Sequence, residues 1–487
     1  MLFNSIHFLF FFPIITLLYF LLPKQKQRVI MLLAASCYFY MFFIPIYVLI
    51  LLFTIVIDYY AGIWIEKQQT KHRKKIFLIC SLVANIGVLA FFKYYNFLNE
   101  NITELLRLSG HNNPIPYLDI ILPIGLSFHT FQAMSYTIEV YRGNQAAEKN
   151  FFTYALYVMF YPQLVAGPIE RPQNILPQLH EKKPFDVEKL LSGIQLIVWG
   201  LLKKAVIADR FAAMADPVFN QPQGHSGWEM LLATYFFTIQ IYCDFSGYSD
   251  IAIGSARVLG IDLMKNFNTP YFSVSIAEFW KRWHISLSTW FRDYLYIPLG
   301  GNRTSKIKVL RNILLVFLIS GLWHGASWCF VIWGALHAVY LIIETVTVKQ
   351  REKLWKWIRI KKNSLLYKSI AIFITFNLVA FAWIFFRAQQ IPVALYMVKT
   401  IGHTLLSSLS GGIISFMTIL YTQAFNHIQE LGWVLFAVSA LALLSEARFS
   451  FSQVSIAWKR KLYFIVVLMI IILMGKSEQQ QFIYFQF

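Results

Sequence analysis

Residues 309–346 read VLRNILLVFLISGLWHGASWCFVIWGALHAVYLIIETV, and this stretch decides the fold class. It contains two apolar runs, 309–322 and 328–346, separated by a short segment in which a histidine is flanked by tryptophans. The apolar residues are continuous and do not alternate with polar ones, as they would in a strand of a membrane barrel. Such runs are typical of membrane-spanning helices. We therefore predict two neighbouring membrane helices here.

The composition extends this prediction to the whole chain. Of its 487 residues, 57% are hydrophobic and 14% are charged, whereas soluble domains have about 45–50% apolar and about 25% charged residues. The mean hydropathy is +0.55. A soluble globular enzyme could not bury this much apolar surface, and a disordered chain would not contain it. We predict an all-α polytopic membrane protein with room for roughly ten to thirteen helices.

The distribution of basic residues predicts the orientation. The net charge is +19, and much of it lies in short basic loops at 23–28, 66–75 and 349–362. Basic loops face the cytoplasm and attract anionic lipid. We therefore expect contact with membrane lipids, no nucleic-acid partner, an outer loop at 98–118 and an extracytoplasmic N-terminus. The first apolar stretch lacks a basic start and a small-residue cleavage site, which favours a retained span over a signal peptide.

The remaining apolar runs predict a single integral membrane domain, 1–487. We divide it into N-terminal helices (1–120), a core (121–346), where the candidate site segments described below lie, and C-terminal helices (347–487). The runs outside the opening stretch are 1–22, 29–65 (two helices with a turn near Pro45), 76–97, 187–208, 228–243, 367–386, 431–445 and 462–474. Region 244–308 is polar although it lies between spans. Irregular polar backbone is tolerated at membrane depth only where it is buried in protein or lines a cavity.

Several classes of site are missing from the sequence. Cys37, Cys80, Cys243 and Cys329 lie in apolar surroundings without CxxC spacing. They are typical of small buried hydrophobic residues, so we predict neither disulfides nor a metal site. The sequence also contains no HExxH, GxSxG or Walker A motif. This excludes the common intramembrane metalloproteases, serine hydrolases and ATPases.

The segment YCDFSGYSDIAIG (242–254) is the first candidate for a site. Ionisable residues beside membrane spans are costly and usually functional, so Asp244 is a candidate lining residue. The alternative is a satisfied polar junction in which Ser and Asp cap a helix at 249–259. Gly247 and Gly254 indicate a bend or a close helix approach.

The segment EFWKRWHISLSTWFRDYLYIPLGGNR (278–303) is the second candidate. Its pattern predicts one amphipathic helix with an aromatic face and a basic face, ended by Pro298, Gly300 and Gly301. The aromatic face holds Trp280, Trp283, Leu287, Trp290 and Tyr294, and the other face holds Lys281, Arg282, Ile285, Thr289 and Arg292. His284 lies at the border, one turn before Ser288. It either faces a cavity or sits at the membrane interface.

The third candidate is His324, within the stretch that opens this section. Gly321 and Gly325 form a GxxxG pair, which allows helices to approach closely. Desolvation favours a neutral imidazole there, and a neutral imidazole can act as a general base. The alternative is a packing histidine that donates to a backbone carbonyl. His337 is more typical of a structural residue.

These segments together resemble the membrane-bound O-acyltransferases. WKRWHISLSTWFRDYLYIPLGGNR (280–303) and GLWHGASW (321–328) are similar to the bacterial branch with the alginate and peptidoglycan O-acetylation membrane subunits. Supporting stretches, in order, are 122–143, 161–172, 242–254, 383–388 and FIYFQF (482–487). The D-alanyl-transfer branch is less similar at 292–301.

The resemblance implies a ring of about 11–13 helices around a central polar funnel, with re-entrant or interfacial helices. It implies that His324 and His284 are catalytic, and that the two lie close together. It also implies acyl transfer, most simply of acetyl, from a cytoplasmic thioester donor, either acetyl-CoA or an acyl carrier, with no bound cofactor. The acceptor is an extracytoplasmic polysaccharide, reached through a partner such as an SGNH-type acetyltransferase, in the bacterial inner membrane.

The implied roles extend to a set of binding residues. We expect substrate-binding contacts at Lys281, Arg282, Trp283, Ser288, Arg292, Asp244 and Trp323. The basic members would draw in an anionic donor. Two alternatives remain at this stage: a transporter or flippase, which needs no chemistry, and a scaffold subunit of an envelope polysaccharide machine.

Overall fold

The computed structural model describes residues 1–165, 167–362, 364–410, 457–475 and 482–483, with Ser439 and Ala442. Within these residues the regular structure is entirely helical. The α-helices are Ile6–Leu21, Gln25–Met41, Val48–Lys67, Lys71–Leu108, Leu126–Arg142, Phe151–Met159, Tyr161–Leu164, Pro172–His180, Val187–Leu201, Asp209–Asn220, Gly227–Val258, Ile276–Arg282, Ile285–Phe291, Lys306–His324, Trp328–Val346, Val348–Trp357, Leu365–Arg387, Ile391–Ser410 and Ala457–Met474. Short 3₁₀ turns lie at Pro45–Tyr47, Pro222–Gly224 and Pro270–Phe272, and π-helical segments at Leu202–Ala208 and Arg292–Tyr296.

Helices long and apolar enough to cross a membrane confirm an all-α polytopic membrane protein. Among the described residues there are six: Pro45–Lys67, Lys71–Leu108, Val187–Asn220, Lys306–His324, Trp328–Val346 and Leu365–Arg387. Two shorter apolar helices, Ile6–Leu21 and Phe464–Met474, accompany them. The predicted run 431–445 lies outside the described residues, apart from Ser439 and Ala442. The full helix number, the ring with its funnel and the three-part division therefore stay predictions.

Two polar segments that we predicted to interrupt the helices are themselves at least partly helical. The predicted loop from residue 98 begins as the last turns of Lys71–Leu108. Polar side chains there bond to the chain that follows, as Asn96 Nδ2 donates to Leu118 O at 2.7 Å. Likewise, Gly227–Val258 is a single helix, so the predicted cap near Ser249 is wrong. Gly254 instead allows a close approach, since a Cβ there would lie 2.6 Å from Gly193 O.

The predicted burial of all four cysteines is partly wrong. All four are free thiols, but Cys80 is exposed and Cys37 is only half-buried. Cys80 lies on Lys71–Leu108, a candidate membrane span. An apolar position on such a span can face lipid instead of protein, so sequence apolarity does not predict burial within the chain.

The chain divides into two compact units. The first comprises Met1–Gly200 and Tyr248–Lys265. In it, Asp58 lies buried on a candidate span and accepts hydrogen bonds from Ser81 Oγ at 2.6 Å and Asn85 Nδ2 at 2.9 Å. A buried histidine, His129, contacts Thr54 Oγ1 through Nε2 at 2.7 Å. These bonds satisfy polar groups that would otherwise be costly among apolar helices.

The second unit comprises Leu201–Gly247 and Asn266–Phe487, and a tight helical hairpin organises it. A Cβ at Gly321 would lie 2.3 Å from Phe330 O, and one at Gly334 would lie 2.3 Å from Phe317 O. Only glycine permits this backbone approach, which confirms the close contact expected at Gly321. The first helix of the hairpin ends at His324 and the second begins at Trp328. The fold therefore places His324 at the turn of the hairpin.

Candidate active site

The predicted amphipathic helix across His284 is wrong, because the structure breaks it there. One helix ends at Arg282 and the next begins at Ile285. Trp283 is extended, and His284 adopts the left-handed conformation with φ 43° and ψ 56°. The physical reason is the neighbouring segment 266–268. Asn268 N donates to Arg282 O at 2.9 Å and Ile285 N donates to Asn266 O at 2.8 Å, which replaces the helical bonds lost at the break.

The break turns His284 into the interior of the second unit. Its side chain is 0% exposed, which excludes the interfacial alternative. The rings of Phe245 and His284 lie 4.7 Å apart, edge to face. Burial lowers the pKa of His284 to about 3. The imidazole is therefore neutral near pH 7.

Asn266 determines which nitrogen of His284 carries the proton. Asn266 Oδ1 lies 3.1 Å from His284 Nδ1 and accepts from Ser286 N at 3.3 Å and Ser286 Oγ at 2.9 Å. A backbone N–H can only donate, so this atom is the amide oxygen. His284 therefore donates from Nδ1, and its Nε2 carries a lone pair.

His324 lies in an aromatic shell at the end of its helix. It is 4% exposed. The ring centroids of Trp323 and Trp333 each lie 4.9 Å from that of His324, and the centroid of Phe386 lies 5.4 Å away. Three helices of the unit supply this shell. Such a dry environment strengthens electrostatic interactions and keeps water from reactive groups.

Trp323 brings the two histidines together. Its ring centroid lies 6.3 Å from that of His284 and 4.9 Å from that of His324. Residues 40 positions apart in the sequence therefore border the same indole. A neutral imidazole in an apolar enclosure can take a proton from a hydroxyl group and return it, which is the requirement for general acid–base catalysis. The second imidazole beside it can orient the reacting groups.

His337 has a defined packing partner in the same aromatic region. Trp280 Nε1 donates to His337 Nδ1 at 3.3 Å. The centroids of Trp333 and His337 lie 5.1 Å apart, and His337 is fully buried. This bond is what a structural histidine would make.

The predicted binding residues fall into two groups. Trp283, Trp323 and Asp244 are buried, whereas Lys281 and Arg292 are exposed. Arg282 pairs with Glu278 at 2.6 Å, and Arg292 pairs with Asp293 at 2.8 Å. Ser288 Oγ donates to Trp283 O at 3.2 Å, which ties it to the backbone at the break. The structure thus places the two tryptophans with the histidines, and Lys281 and Arg292 on the outer surface.

Asp244 belongs to a buried ionic triad. Its other two members, Lys204 and Asp209, are not among the residues predicted from the sequence. Lys204 Nζ lies 2.8 Å from Asp209 Oδ1 and 2.8 Å from Asp244 Oδ1, and all three side chains are almost fully buried. Lys204 lies within the predicted run 187–208, and an ionisable residue within a membrane span is a signal of function. This signal is weak here because the pair Lys203–Lys204 lies near the end of the run, where basic residues commonly end a membrane span.

The triad also anchors the segment Phe482–Ile483. Ile483 N donates to Asp244 Oδ2 at 2.7 Å. The rings of Phe482 and Phe245 lie 5.6 Å apart, and Phe245 in turn contacts His284. These two residues of the FIYFQF stretch are buried. They therefore form part of the packing behind the histidine site.

Comparisons with known proteins identify the family of the chain. The family model described as MBOAT, the membrane-bound O-acyltransferase family, matches residues 129–385, a range that includes His284 and His324. The probable alginate O-acetylase AlgI of Pseudomonas aeruginosa is 41% identical over 346 residues, covering 70% of this chain and 63% of the relative. The match thus spans less than two thirds of that relative.

Two further relatives are named for other activities. The peptidoglycan O-acetyltransferase of Helicobacter pylori is 36% identical over 379 residues, covering 72% of this chain and 69% of the relative. The teichoic acid D-alanyltransferase of Bacillus subtilis is 30% identical over 288 residues, covering 56% of this chain and 71% of the relative. The activities for which these three relatives are named all transfer an acyl group.

Proposed function

The chain belongs to the membrane-bound O-acyltransferase family, and from this premise we propose that it O-acetylates an extracytoplasmic polysaccharide. The observation that carries the proposal is the meeting of His284 and His324 at Trp323. A transporter would need no such enclosed pair of imidazoles. Acetyl is favoured over D-alanyl because the O-acetylating relatives are the more similar ones.

The proposed reaction transfers the acyl group from a thioester to a hydroxyl. The oxygen of the acceptor's hydroxyl group attacks the carbonyl carbon of the thioester donor. At the same time, His324 takes the proton of that hydroxyl as general base. The tetrahedral oxyanion then collapses and the carbon–sulfur bond breaks. The leaving thiolate takes the proton from the His324 imidazolium, which leaves an ester, a thiol and a neutral histidine.

His284 has an accepting role in this proposal. With its proton on Nδ1 and held by Asn266, its Nε2 can accept a hydrogen bond from an N–H or O–H of a substrate. Donation to an oxyanion would require a second proton, which burial disfavours. Of the two roles that the family resemblance suggests, orienting a substrate therefore fits better than stabilising the oxyanion.

The donor and the partner follow from the same proposal. We assign the donor to a cytoplasmic acetyl thioester, acetyl-CoA or an acyl carrier. Lys281 supplies most of the basic attraction, since Arg282 and Arg292 pair with carboxylates. The acceptor protein is an extracytoplasmic SGNH-type or similar polysaccharide-modifying enzyme, and the chain lies in the bacterial inner membrane with its N-terminus outside.

Acyl transfer in reconstituted vesicles tests the proposal. Wild type and His324→Gln receive labelled acetyl thioester on one side and the candidate partner on the other. Loss of a general base should lower the rate by about 10²–10⁴-fold. His337→Gln is the matched control, because it also alters a buried histidine against Trp333 but keeps an acceptor for Trp280 Nε1.

Three outcomes would contradict the proposal. Normal transfer by folded His324→Gln would remove His324 from the chemistry. Movement of the label without ester formation would indicate a transporter. Faster transfer from a D-alanyl thioester than from an acetyl thioester would assign the chain to D-alanyl transfer.

A further inference from the structure

A cationic cavity lies in the connection between two candidate membrane spans of the second unit. The connection joins Trp328–Val346 to Leu365–Arg387. The cavity has a volume of about 520 Å³. Its lining carries five basic side chains, Arg351, Lys356, Arg359, Lys361 and Lys362, against the single acid Glu352, which pairs with Lys362 at 3.4 Å. A concave surface with this charge balance attracts an anion.

One face of a helix and the returning chain build the cavity. Val348, Arg351, Glu352, Trp355 and Lys356 line it from the helix Val348–Trp357, at spacings that share a helical face. The chain then reverses, and Ile360 N donates to Trp355 O at 3.1 Å. The rings of Trp355 and Tyr367 pack edge to face at 4.8 Å. The cavity therefore has a built wall and is more than a loose basic loop.

Arg359 occupies the reversal in an unfavourable backbone conformation. Its φ is 57°, in the left-handed region, and only Thr269 and His284 share a positive φ among the described non-glycine residues. Glycine would adopt this conformation without strain. Arg359 is the residue that ends the helix Val348–Trp357, since Arg359 N donates to Lys356 O and Ile360 N to Trp355 O, both at 3.1 Å. Glycine is the usual residue at this position, and the arginine adds a guanidinium to the lining of the cavity.

Exposed apolar side chains lie on either side of the cations. Trp357 is 79% exposed, and Leu365 and Leu366, at the start of the next span, are 81% and 57% exposed. A free phosphate would leave these apolar side chains exposed, whereas the acyl chains of a lipid would cover them. Tryptophan and leucine beside basic residues are typical of helices at the membrane interface.

We propose that this cavity binds the phosphate headgroup of an anionic phospholipid, whose acyl chains lie against the neighbouring apolar side chains. The arginines are suited to the phosphate oxygens because a guanidinium can donate two parallel hydrogen bonds. The site does not include His284 or His324, so it is independent of the proposed reaction. Its occupancy would hold the connection between the two spans at the membrane surface.

Lipid binding to the purified full-length protein tests this inference. Dioleoylphosphatidylglycerol is titrated into protein in neutral detergent, and retained lipid is measured by native mass spectrometry. Each basic residue near an anionic lipid contributes roughly fivefold in binding. Lys356→Gln/Arg359→Gln/Lys361→Gln should therefore weaken binding by roughly 100-fold. Dioleoylphosphatidylcholine and inorganic phosphate serve as the zwitterionic and headgroup-only probes.

Two further variants separate the site from general charge and from folding. Lys71→Gln/Arg73→Gln/Lys75→Gln removes three exposed cations from the first turns of the helix Lys71–Leu108, none of which lines the cavity, so it should retain the lipid. Arg359→Gly should leave the thermal unfolding temperature unchanged or raise it, because glycine relieves the strain. It should nevertheless weaken lipid binding by roughly fivefold.

The inference fails under any of three results. Equal losses in the two triple variants would mean that only net charge attracts the lipid. Equal binding of phosphatidylglycerol and phosphatidylcholine would remove the headgroup preference. Inorganic phosphate that competes at the lipid's own concentration would make the ligand a soluble phosphate compound.

Discussion

The side-chain oxygen of Asn266 fixes the protonation pattern of His284. It accepts a hydrogen bond from His284 Nδ1 at 3.1 Å, and its identity as oxygen is set by the donating backbone N–H of Ser286. Asn266 also accepts the Ile285 N–H through its backbone carbonyl, and so holds the start of the helix that follows the break. Asn266 is thus a positioning residue, which acts on the reaction through His284.

Asn266→Asp should make acyl transfer sensitive to acid. A carboxylate beside Nδ1 stabilises the imidazolium and raises the pKa of His284. As the pH falls through this raised pKa, Nε2 takes a proton and can no longer accept a hydrogen bond, so the rate falls. The wild-type His284 has a pKa of about 3 and should show no such loss between about pH 5 and 8. The measurement is the pH profile of transfer.

Asn268→Asp is the control for this experiment. It adds the same charge two positions along the chain, at an exposed site, where water screens it. It should leave the pH profile unchanged. If the two aspartate variants have the same profile, Asn266 does not act through His284.

Burial of His284 should make the fold itself sensitive to acid. Its pKa is about 3 in the folded state, against about 6.5 in an unfolded chain. As the pH falls below about 6.5, His284 binds a proton in the unfolded state but stays neutral in the folded state. The free energy of unfolding therefore falls, by about 2 kcal/mol at pH 5, and continues to fall towards pH 3.

His284→Asn isolates this contribution. Asparagine tolerates the left-handed backbone and does not titrate in this range. The variant should lose less thermal stability than wild type when the pH is lowered from 7 to 5 in the same detergent. Identical losses in the two proteins would show that His284 is not the group responsible.

Lys204→Met should strongly destabilise the second unit. The variant leaves Asp209 and Asp244 buried without their shared cation. Breaking a buried ion pair from one side typically costs about 3–5 kcal/mol. The unfolding temperature in detergent measures this effect. The anchor of Phe482–Ile483 on Asp244 should loosen as well, because Lys204 no longer holds that carboxylate in place.

An exposed ion pair provides the matched comparison. Lys189 lies 2.9 Å from Asp262 in the first unit, with both side chains well exposed. Lys189→Met should change the stability by no more than about 1 kcal/mol. A similar shift in both methionine variants would contradict a special role of burial at Lys204.

Gly321→Ala should separate the helices of the hairpin. The new Cβ would lie 2.3 Å from Phe330 O, so the backbones must move apart. We expect a loss of about 1–3 kcal/mol in stability. The folded fraction should also transfer acyl groups more slowly, since the displaced helix ends at His324 and small misplacements are costly in catalysis.

Gly87→Ala is its counterpart on an open helix surface. A Cβ at Gly87 would have no atom within 4 Å. Alanine should therefore be neutral, or stabilise the helix by up to about 1 kcal/mol. If both alanine variants unfold at the wild-type temperature, the contact at Gly321 is looser than the structure indicates.

Much of the fold could be predicted because lipid acts on composition directly. The helices at Val48–Lys67, Trp328–Val346 and Leu365–Arg387 begin and end within a few residues of the predicted runs, since a span must be apolar over its whole length. The break at His284 could not be predicted in this way. The local pattern of residues 278–303 is helical, and the bonds that interrupt it come from residues 266–268.

Residue types and their local spacing are enough to predict the lipid environment, the helical class, and His284 and His324 as candidate site residues. Hydropathy and short motifs depend on nothing beyond these local properties. The folded structure was needed to show that Trp323 contacts both His284 and His324, that Asn266 sets the tautomer of His284, and that Lys204 pairs with Asp209 and Asp244. Most of these contacts join residues far apart in the chain, and their energies depend on distance and burial, which no local pattern encodes.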